Sequence, residues 1–261
     1  MADLGLLGVS LFLCIVIAVS VLVALGSIWL ANRLADEPAG TKTGSSLSPF
    51  LTTVALVYGA LLGFTVVVAW EQFSSAAANV TNESATLATM YRQTVAMPEP
   101  EQMQVRALLR SYTTAVQGEW GSEDRAGASD TARRAITDMY RVVGTKQPGE
   151  ASNPISGEFL SQLGVLTSQR NTRVLDAEPR IPGLLWGGLL FGGVILIGLM
   201  GFTRLDSRRG HMVLSSAVAI LLGLLLFIVF WLDHPFGRQL GVTPTPFAHA
   251  VEVYDYVDQG S

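Results

Sequence analysis

The sequence predicts an all-α, polytopic membrane protein with four transmembrane helices and an extramembrane helical bundle inserted between spans two and three. Three observations support this fold class. Of the 261 residues, 49% are hydrophobic and only 15% are charged, a balance typical of membrane proteins. Four apolar stretches are each long enough to cross a hydrocarbon core of about 30 Å. The segment between the second and third stretches has a soluble composition instead.

The four predicted spans are 4–30, 50–70, 182–202 and 212–232. No Lys or Arg precedes the first span, which is also longer than the apolar region of about 7–15 residues in a secretory signal. We therefore expect it to remain as a membrane helix. No ionisable side chain lies in the middle of a span, which argues against a pump or a proton-coupled carrier. A channel is compatible with this pattern, because apolar gates and backbone groups can line a pore.

The inserted segment predicts helices with almost no strand signal. Apolar residues recur at helical spacing after Pro98-Glu99-Pro100, after Ser129-Asp130 and after Asn153-Pro154. The chain from Trp70 to Met97 contains neither Gly nor Pro, which predicts that the second span leaves the membrane as one helix of more than about 40 residues. The predicted domains are transmembrane helices one and two at 1–70, an extramembrane helical domain at 71–181, transmembrane helices three and four at 182–232, and a C-terminal extramembrane segment at 233–261.

The sidedness of this arrangement is left open by the charges. The short loops 31–48 and 203–211 contain five Lys and Arg residues, and the opposite side has four close to the membrane: Arg170, Arg173, Arg180 and Arg238. The positive-inside rule would place the side with more Lys and Arg in the cytoplasm. A difference of one residue does not decide between the two orientations.

No catalytic or metal-binding pattern is present in the sequence. It contains no GxSxG, no phosphate-binding glycine loop, no HExxH and no cysteine–histidine pair. His234 and His249 with Asp233 or Glu252 could form a metal site, but their spacing does not specify a convergent geometry. We expect no enzyme activity and no cofactor. The basic residues are scattered, so no nucleic-acid partner is expected either.

Small residues and three charged residues are candidates for helix packing. Gly59 and Gly63 form a GxxxG pattern in span two, which favours close helix contacts within one chain or between the subunits of a homo-oligomer. Glu83 lies on the predicted extension of span two, and Arg170 and Arg173 lie on the segment that leads into span three. We expect an ion pair between these segments, either as a structural lock or as part of a gate.

Four stretches resemble bacterial four-span membrane proteins described as bestrophin-like. They are AWEQFSSAAANVTNESATLATMYRQ at 69–93, LLRSYTTAVQGEW at 108–120, SQRNTRVLDAEPRIPGLLW at 168–186 and DHPFG at 233–237. The last stretch, which is Asp233, His234, Pro235, Phe236 and Gly237, is the predicted membrane-exit turn of span four. In bestrophins a similar stretch leads into an acidic calcium-binding cluster. Here Arg238-Gln239-Leu240-Gly241 follows, so calcium gating is not expected.

The resemblance implies an oligomeric ion channel, for anions such as chloride more than for cations, in a multi-pass protein of the bacterial inner or plasma membrane. Its expected partners are the lipid bilayer, inorganic ions and further copies of the chain. The second span would be the pore helix, and the same helical face could equally be the core of the bundle. The rival hypothesis is a membrane-anchored sensor or scaffold whose helical domain binds a partner. The candidate pore-lining residues are Leu56, Gly59, Gly63, Phe64, Val67 and Trp70.

Overall fold

The computed structural model describes residues 2–34, 43–120, 125–144, 154–203, 207–236 and 241–260. Within these ranges the chain is helical and contains no strand. A 3-10 turn, Thr94–Ala96, follows the second of the α-helices. The α-helices are α1 (Ala2–Leu34), α2 (Thr43–Gln93), α3 (Glu101–Gly118), α4 (Arg125–Gly144), α5 (Pro154–Asp176), α6 (Gly183–Phe202), α7 (Arg208–Leu232) and α8 (Thr245–Gln259).

Four of the helices contain segments that are long and apolar enough to cross a membrane, and this confirms the predicted number of spans. The segments are Leu7–Arg33, Pro49–Ala96, Gly183–Phe202 and Arg209–Leu232. Helix α2 runs without interruption for 51 residues. The prediction of one long helix is thereby confirmed, and its reason is the absence of a helix breaker between Trp70 and Met97.

The chain forms two compact units. The first unit comprises Met1–Gln72 and Pro179–Asp233, and it contains α1, the first part of α2, α6 and α7. Its core includes Tyr58, whose hydroxyl donates to the carbonyl oxygen of Leu189 at 3.0 Å. Small residues bring its helices close together. Gly192 of α6 lies against the Tyr58 ring, and a Cβ atom at Gly201 would lie 2.8 Å from the backbone carbonyl carbon of Ser27 in α1.

The second unit comprises Phe73–Glu178 and His234–Ser261. Helices α3 and α5 begin close to the predicted positions, next to Pro100 and at Pro154. Asn153, which precedes Pro154 in the predicted start of α5, lies outside the described residues. Large side chains from α2, α3, α5 and α8 fill the core of this unit, including Tyr91, Tyr112, Phe159, Phe247 and Tyr254. Helix α8 was not predicted, although Phe247, Ala250 and Tyr254 have helical spacing and are buried.

Candidate pore face and buried charge network

The predicted pore-lining residues lie on a face of α2 that is exposed. Leu56 and Phe64 are 73% and 75% exposed, and Trp70 is also exposed. A Cβ atom added at Gly59 or Gly63 would meet no atom within 4 Å. The opposite face of the same helix, which includes Tyr58, Leu62 and Ala69, is buried in the first unit. The exposed face is therefore outside the core of the first unit, and its exposed side chains can contact lipid, water or another subunit.

Glu83 lies at the centre of a buried charge network in the second unit. Its side chain is fully buried, and its Oε2 accepts a hydrogen bond from Arg173 Nε at 2.7 Å. The hydroxyl of Tyr112 donates to the other carboxylate oxygen. Arg173 also donates from Nη1 to Glu119 Oε2 at 2.6 Å. The network therefore joins α2, α3, α5 and the residue that follows α3.

Arg170 takes part in this network through Glu119 and α4, and no hydrogen bond joins it to Glu83. Its Nη2 lies 3.4 Å from Glu119 Oε1 and donates to the carbonyl oxygen and the hydroxyl of Ser129 at 3.1 and 3.0 Å. The two arginines are three residues apart on α5, so they point to neighbouring parts of the same site. No sequence pattern indicated that Tyr112, Glu119 and Ser129 belong to this network. Glu119 was visible only as part of the stretch LLRSYTTAVQGEW, which carries the family resemblance.

Burial and the neighbouring charges determine the protonation states of Arg173 and Tyr112. Burial lowers the pKa of the Arg173 guanidinium, but the charges of Glu83 and Glu119 outweigh this effect, so its pKa lies above the ordinary value. Burial raises the pKa of the Tyr112 hydroxyl well above its usual range, and the charge of Glu83 adds to this effect. Arg173 therefore remains a cation and Tyr112 remains a hydrogen-bond donor, and both contact the Glu83 carboxylate.

A cavity of about 170 Å³ adjoins the network. Its polar wall contains Glu119, Ser129 and Arg173, and its apolar wall contains Trp120 and Phe236. The guanidinium carbon of Arg173 lies 5.1 Å from the centre of the Trp120 ring, a cation–π distance. Since Glu83 and Glu119 already neutralise Arg173, the cavity offers no unpaired arginine charge to a ligand.

The predicted membrane-exit turn begins at Asp233, which ties the end of α7 to the start of α6. Its Oδ1 accepts from the backbone N–H groups of Arg180 and Ile181, both at 3.0 Å, and its Oδ2 accepts from Trp186 Nε1 at 3.3 Å. In the second unit, the Pro235 carbonyl oxygen accepts from the backbone N–H of Val242.

Of the remaining residues in this turn, Phe236 packs edge-on against Trp120. Gly237 lies outside the described residues.

The described part of the chain contains no group of three His, Cys, Asp or Glu residues that could hold a metal ion. The Nδ1 atom of His249 instead lies 3.2 Å from the Oε2 atom of Glu252, on the exposed side of α8.

Comparisons with known proteins agree with this architecture. The family described as Bestrophin-like domain matches residues 18–247. A bacterial bestrophin homologue from Klebsiella pneumoniae, solved as a single-substitution variant, has a TM-score of 0.71 and 13% identity over 94% of this chain and 98% of its own. A second variant of the Klebsiella pneumoniae homologue has a TM-score of 0.71 and 14% identity over 95% and 98% of the two chains. No curated protein matches the sequence. Since the family match spans most of the chain and the solved homologues share its fold, this membrane protein belongs to the bestrophin-like family.

Proposed function

We propose that the protein is an oligomeric ion channel of a bacterial cell membrane, in which several copies of α2 surround a pore. The observation that carries this proposal is the exposed apolar face of α2 in a chain with a bestrophin-like fold. Within the part of the chain that the structure describes, Leu56, Phe64 and Val67 of that face stay exposed. In a ring of copies around one axis, this face of each α2 would point towards a shared central pore.

The proposed pore lining consists of Leu56, Gly59, Gly63, Phe64, Val67 and Trp70. The glycines leave open space beside the helix, whereas Phe64 and Trp70 project large rings from it and are the proposed constrictions. A narrow apolar segment of this kind gates ions through its wetting and dewetting. Neither a proton relay nor a metal site is needed for this mechanism.

The extramembrane region, 71–181 with the C-terminal segment 233–261, is proposed to shape the pore entrance. The lock between Glu83 and Arg173 joins α2 to α5 in the second unit. Because α2 is one continuous helix, this lock would hold the extension of the proposed pore helix in place. We assign the lock a structural role; movement of the lock during gating is the alternative.

Recording currents from the purified protein in planar bilayers tests this proposal. We expect conductance, and particles in detergent should show a ring of identical subunits with α2 nearest the axis. A protein that is shown to be folded but is silent across voltage, pH and calcium concentration would contradict the channel. A monomer, or a dimer without a central axis, would favour a membrane-anchored scaffold. The family resemblance favours anions as the permeant ions, and the reversal potential distinguishes anions from cations.

A further inference from the structure

Glu71 occupies a distinctive position on α2. Only three charged residues, Glu71, Glu83 and Arg92, occur in the whole helix. Glu83 is buried and paired with Arg173, whereas Glu71 is exposed. Among the residues that the structure describes, none forms an ion pair with Glu71. It is therefore the only exposed charge on α2 before Arg92.

The carboxylate of Glu71 lies on the same side of α2 as the proposed constriction. Glu71 follows Phe64 by seven residues and Val67 by four, and this spacing places all three on one helix face. Glu71 is one turn beyond Val67, or about 6 Å along the helix axis. The apolar lining of the proposed pore therefore ends at a carboxylate.

No basic group on α2 compensates this charge near the constriction. The exposed residues that follow on this face, including Ser74, Ser75 and Ala78, are small and uncharged. Arg92 lies 21 residues after Glu71 on the same helix, which corresponds to about 30 Å of helix length. This is several times the Debye length of about 8 Å at physiological salt, so Arg92 does not cancel the field at Glu71.

We propose that the Glu71 carboxylates of the assembled subunits form a ring at the mouth of the apolar constriction and select inorganic cations. This inference rests on the proposed channel function and names its permeant ions. Rings of Asp or Glu attract cations and repel anions at the entrance of a pore, whereas anion pores use rings of Lys or Arg. A narrow entrance with walls of low dielectric constant strengthens the effect. The Glu71 carboxylate therefore favours cations, whereas the family resemblance alone favours anions.

Reversal potentials measured under asymmetric KCl test the inference on the full-length protein in planar bilayers. The wild-type reversal potential should lie towards the potassium equilibrium potential. Glu71→Gln should move it towards zero, Glu71→Lys should move it to the chloride side, and Glu71→Asp should retain the potassium preference. The matched control is Glu158→Gln, which removes the same charge at an exposed position of α5 and should leave the reversal potential unchanged.

Two results would overturn the selectivity ring while leaving the channel intact. One is a wild-type reversal potential on the chloride side, and the other is the same reversal potential in the wild type and in Glu71→Gln. The wild-type measurement decides the ion class even where a variant fails to assemble. A folded wild-type protein without any conductance would overturn the channel, and this inference with it.

Discussion

At the scale of single residues, Glu83 and Arg173 form the most deeply buried ion pair among the described residues of the second unit. Both side chains are almost completely buried, so each depends on the other to offset the loss of its hydration. Arg173 has a second partner in Glu119, whereas the described contacts of Glu83 are with Arg173 and Tyr112. Loss of the Glu83 charge would leave a buried guanidinium with one carboxylate.

We predict that Glu83→Gln lowers the free energy of unfolding by about 3–5 kcal/mol, the usual cost of breaking a buried pair from one side. Circular dichroism during heating of the detergent-solubilised protein would measure the fall in melting temperature. Asp130→Asn is the matched control, since it breaks the exposed pair with Arg133 and should cost less than about 1 kcal/mol. Equal melting temperatures of the two variants would show that the network does not lock the unit.

The sequence predicted part of this network. Glu83 was recognisable because it is an isolated acid on a long helix without breakers, and Arg170 and Arg173 because they lie one turn apart on a second helix. Glu119 and Tyr112 were not recognisable, because their positions depend on the rotation of α3 against α2 and α5. That rotation is set by the packing of side chains that are distant in sequence, such as Leu109 and Leu163.

At the scale of helices, α8 is held partly by a carboxylate whose proton affinity depends on its contacts. Asp258 accepts hydrogen bonds from Tyr91, Arg106 and Arg110 at 2.7–2.9 Å. Burial raises the pKa of this carboxyl, but the hydrogen bonds and the charge of Arg110 outweigh it, so the pKa lies below its ordinary value of 3.8. The folded state then binds fewer protons than the unfolded state, so stability from Asp258 is present above pH 3.8 and is lost as the pH falls through the lowered pKa.

We predict that Asp258→Asn lowers the melting temperature at neutral pH and that the difference from the wild type shrinks when both are measured below pH 3.8. The effect should be modest, since the Asp258 side chain is 36% exposed and solvent screens its pairs. Glu252→Gln on the exposed side of the same helix is the control and should behave as the wild type does at both pH values. A difference between Asp258→Asn and the wild type that is independent of pH would contradict the electrostatic explanation.

Contacts between α1 and α6 depend on a glycine that has no room for a side chain. A Cβ atom at Gly201 would lie 2.8 Å from the Ser27 carbonyl carbon and 2.9 Å from its oxygen. Backbone atoms cannot rotate away as a side chain can, so Gly201→Ala must separate the two helices. Overpacking of this kind typically costs about 1–3 kcal/mol.

We therefore predict a lower melting temperature in detergent for Gly201→Ala and little change for Gly198→Ala. Both glycines lie in α6, but a Cβ atom at Gly198 would meet nothing within 4 Å. This pair of variants separates the effect of close packing from the general effect of replacing a glycine in a helix. Similar losses in both variants would contradict the contact between α1 and α6.

The sequence predicts the helices more fully than it predicts the contacts between them. The continuity of α2 follows from local chemistry, because nothing between Trp70 and Met97 breaks a helix. Span three is rich in glycine, but its sequence does not show which glycine makes the close contact. Gly192 packs on Tyr58 and Gly188 faces open space, and this difference depends on the rotation of α6 within the first unit.

At the scale of the whole molecule, apolar exposure alone does not identify a pore. Helices α1, α6 and α7 also expose large apolar side chains, among them Leu11, Phe191 and Val213. Such residues would face the acyl chains of a bilayer. The face of α2 differs because it ends at the Glu71 carboxylate. Open space beside glycines is not distinctive, since Gly188 and Gly198 of α6 have it as well. The channel proposal therefore requires water at α2 and lipid at the other exposed faces.

Cysteine accessibility tests this difference. Val67 on α2 and Val194 on α6 are the same residue type and are 54% and 53% exposed. The only native cysteine, Cys14, is exposed, so both substitutions would be made in a Cys14→Ser background. A charged methanethiosulfonate reagent reacts with a thiolate, which forms in water far more readily than in lipid. We predict that the reagent reduces the current of Val67→Cys, because the added group enters the proposed pore, and leaves the current of Val194→Cys unchanged. Unchanged current in Val67→Cys after verified labelling, or block through Val194→Cys instead, would place the ion path away from this face of α2.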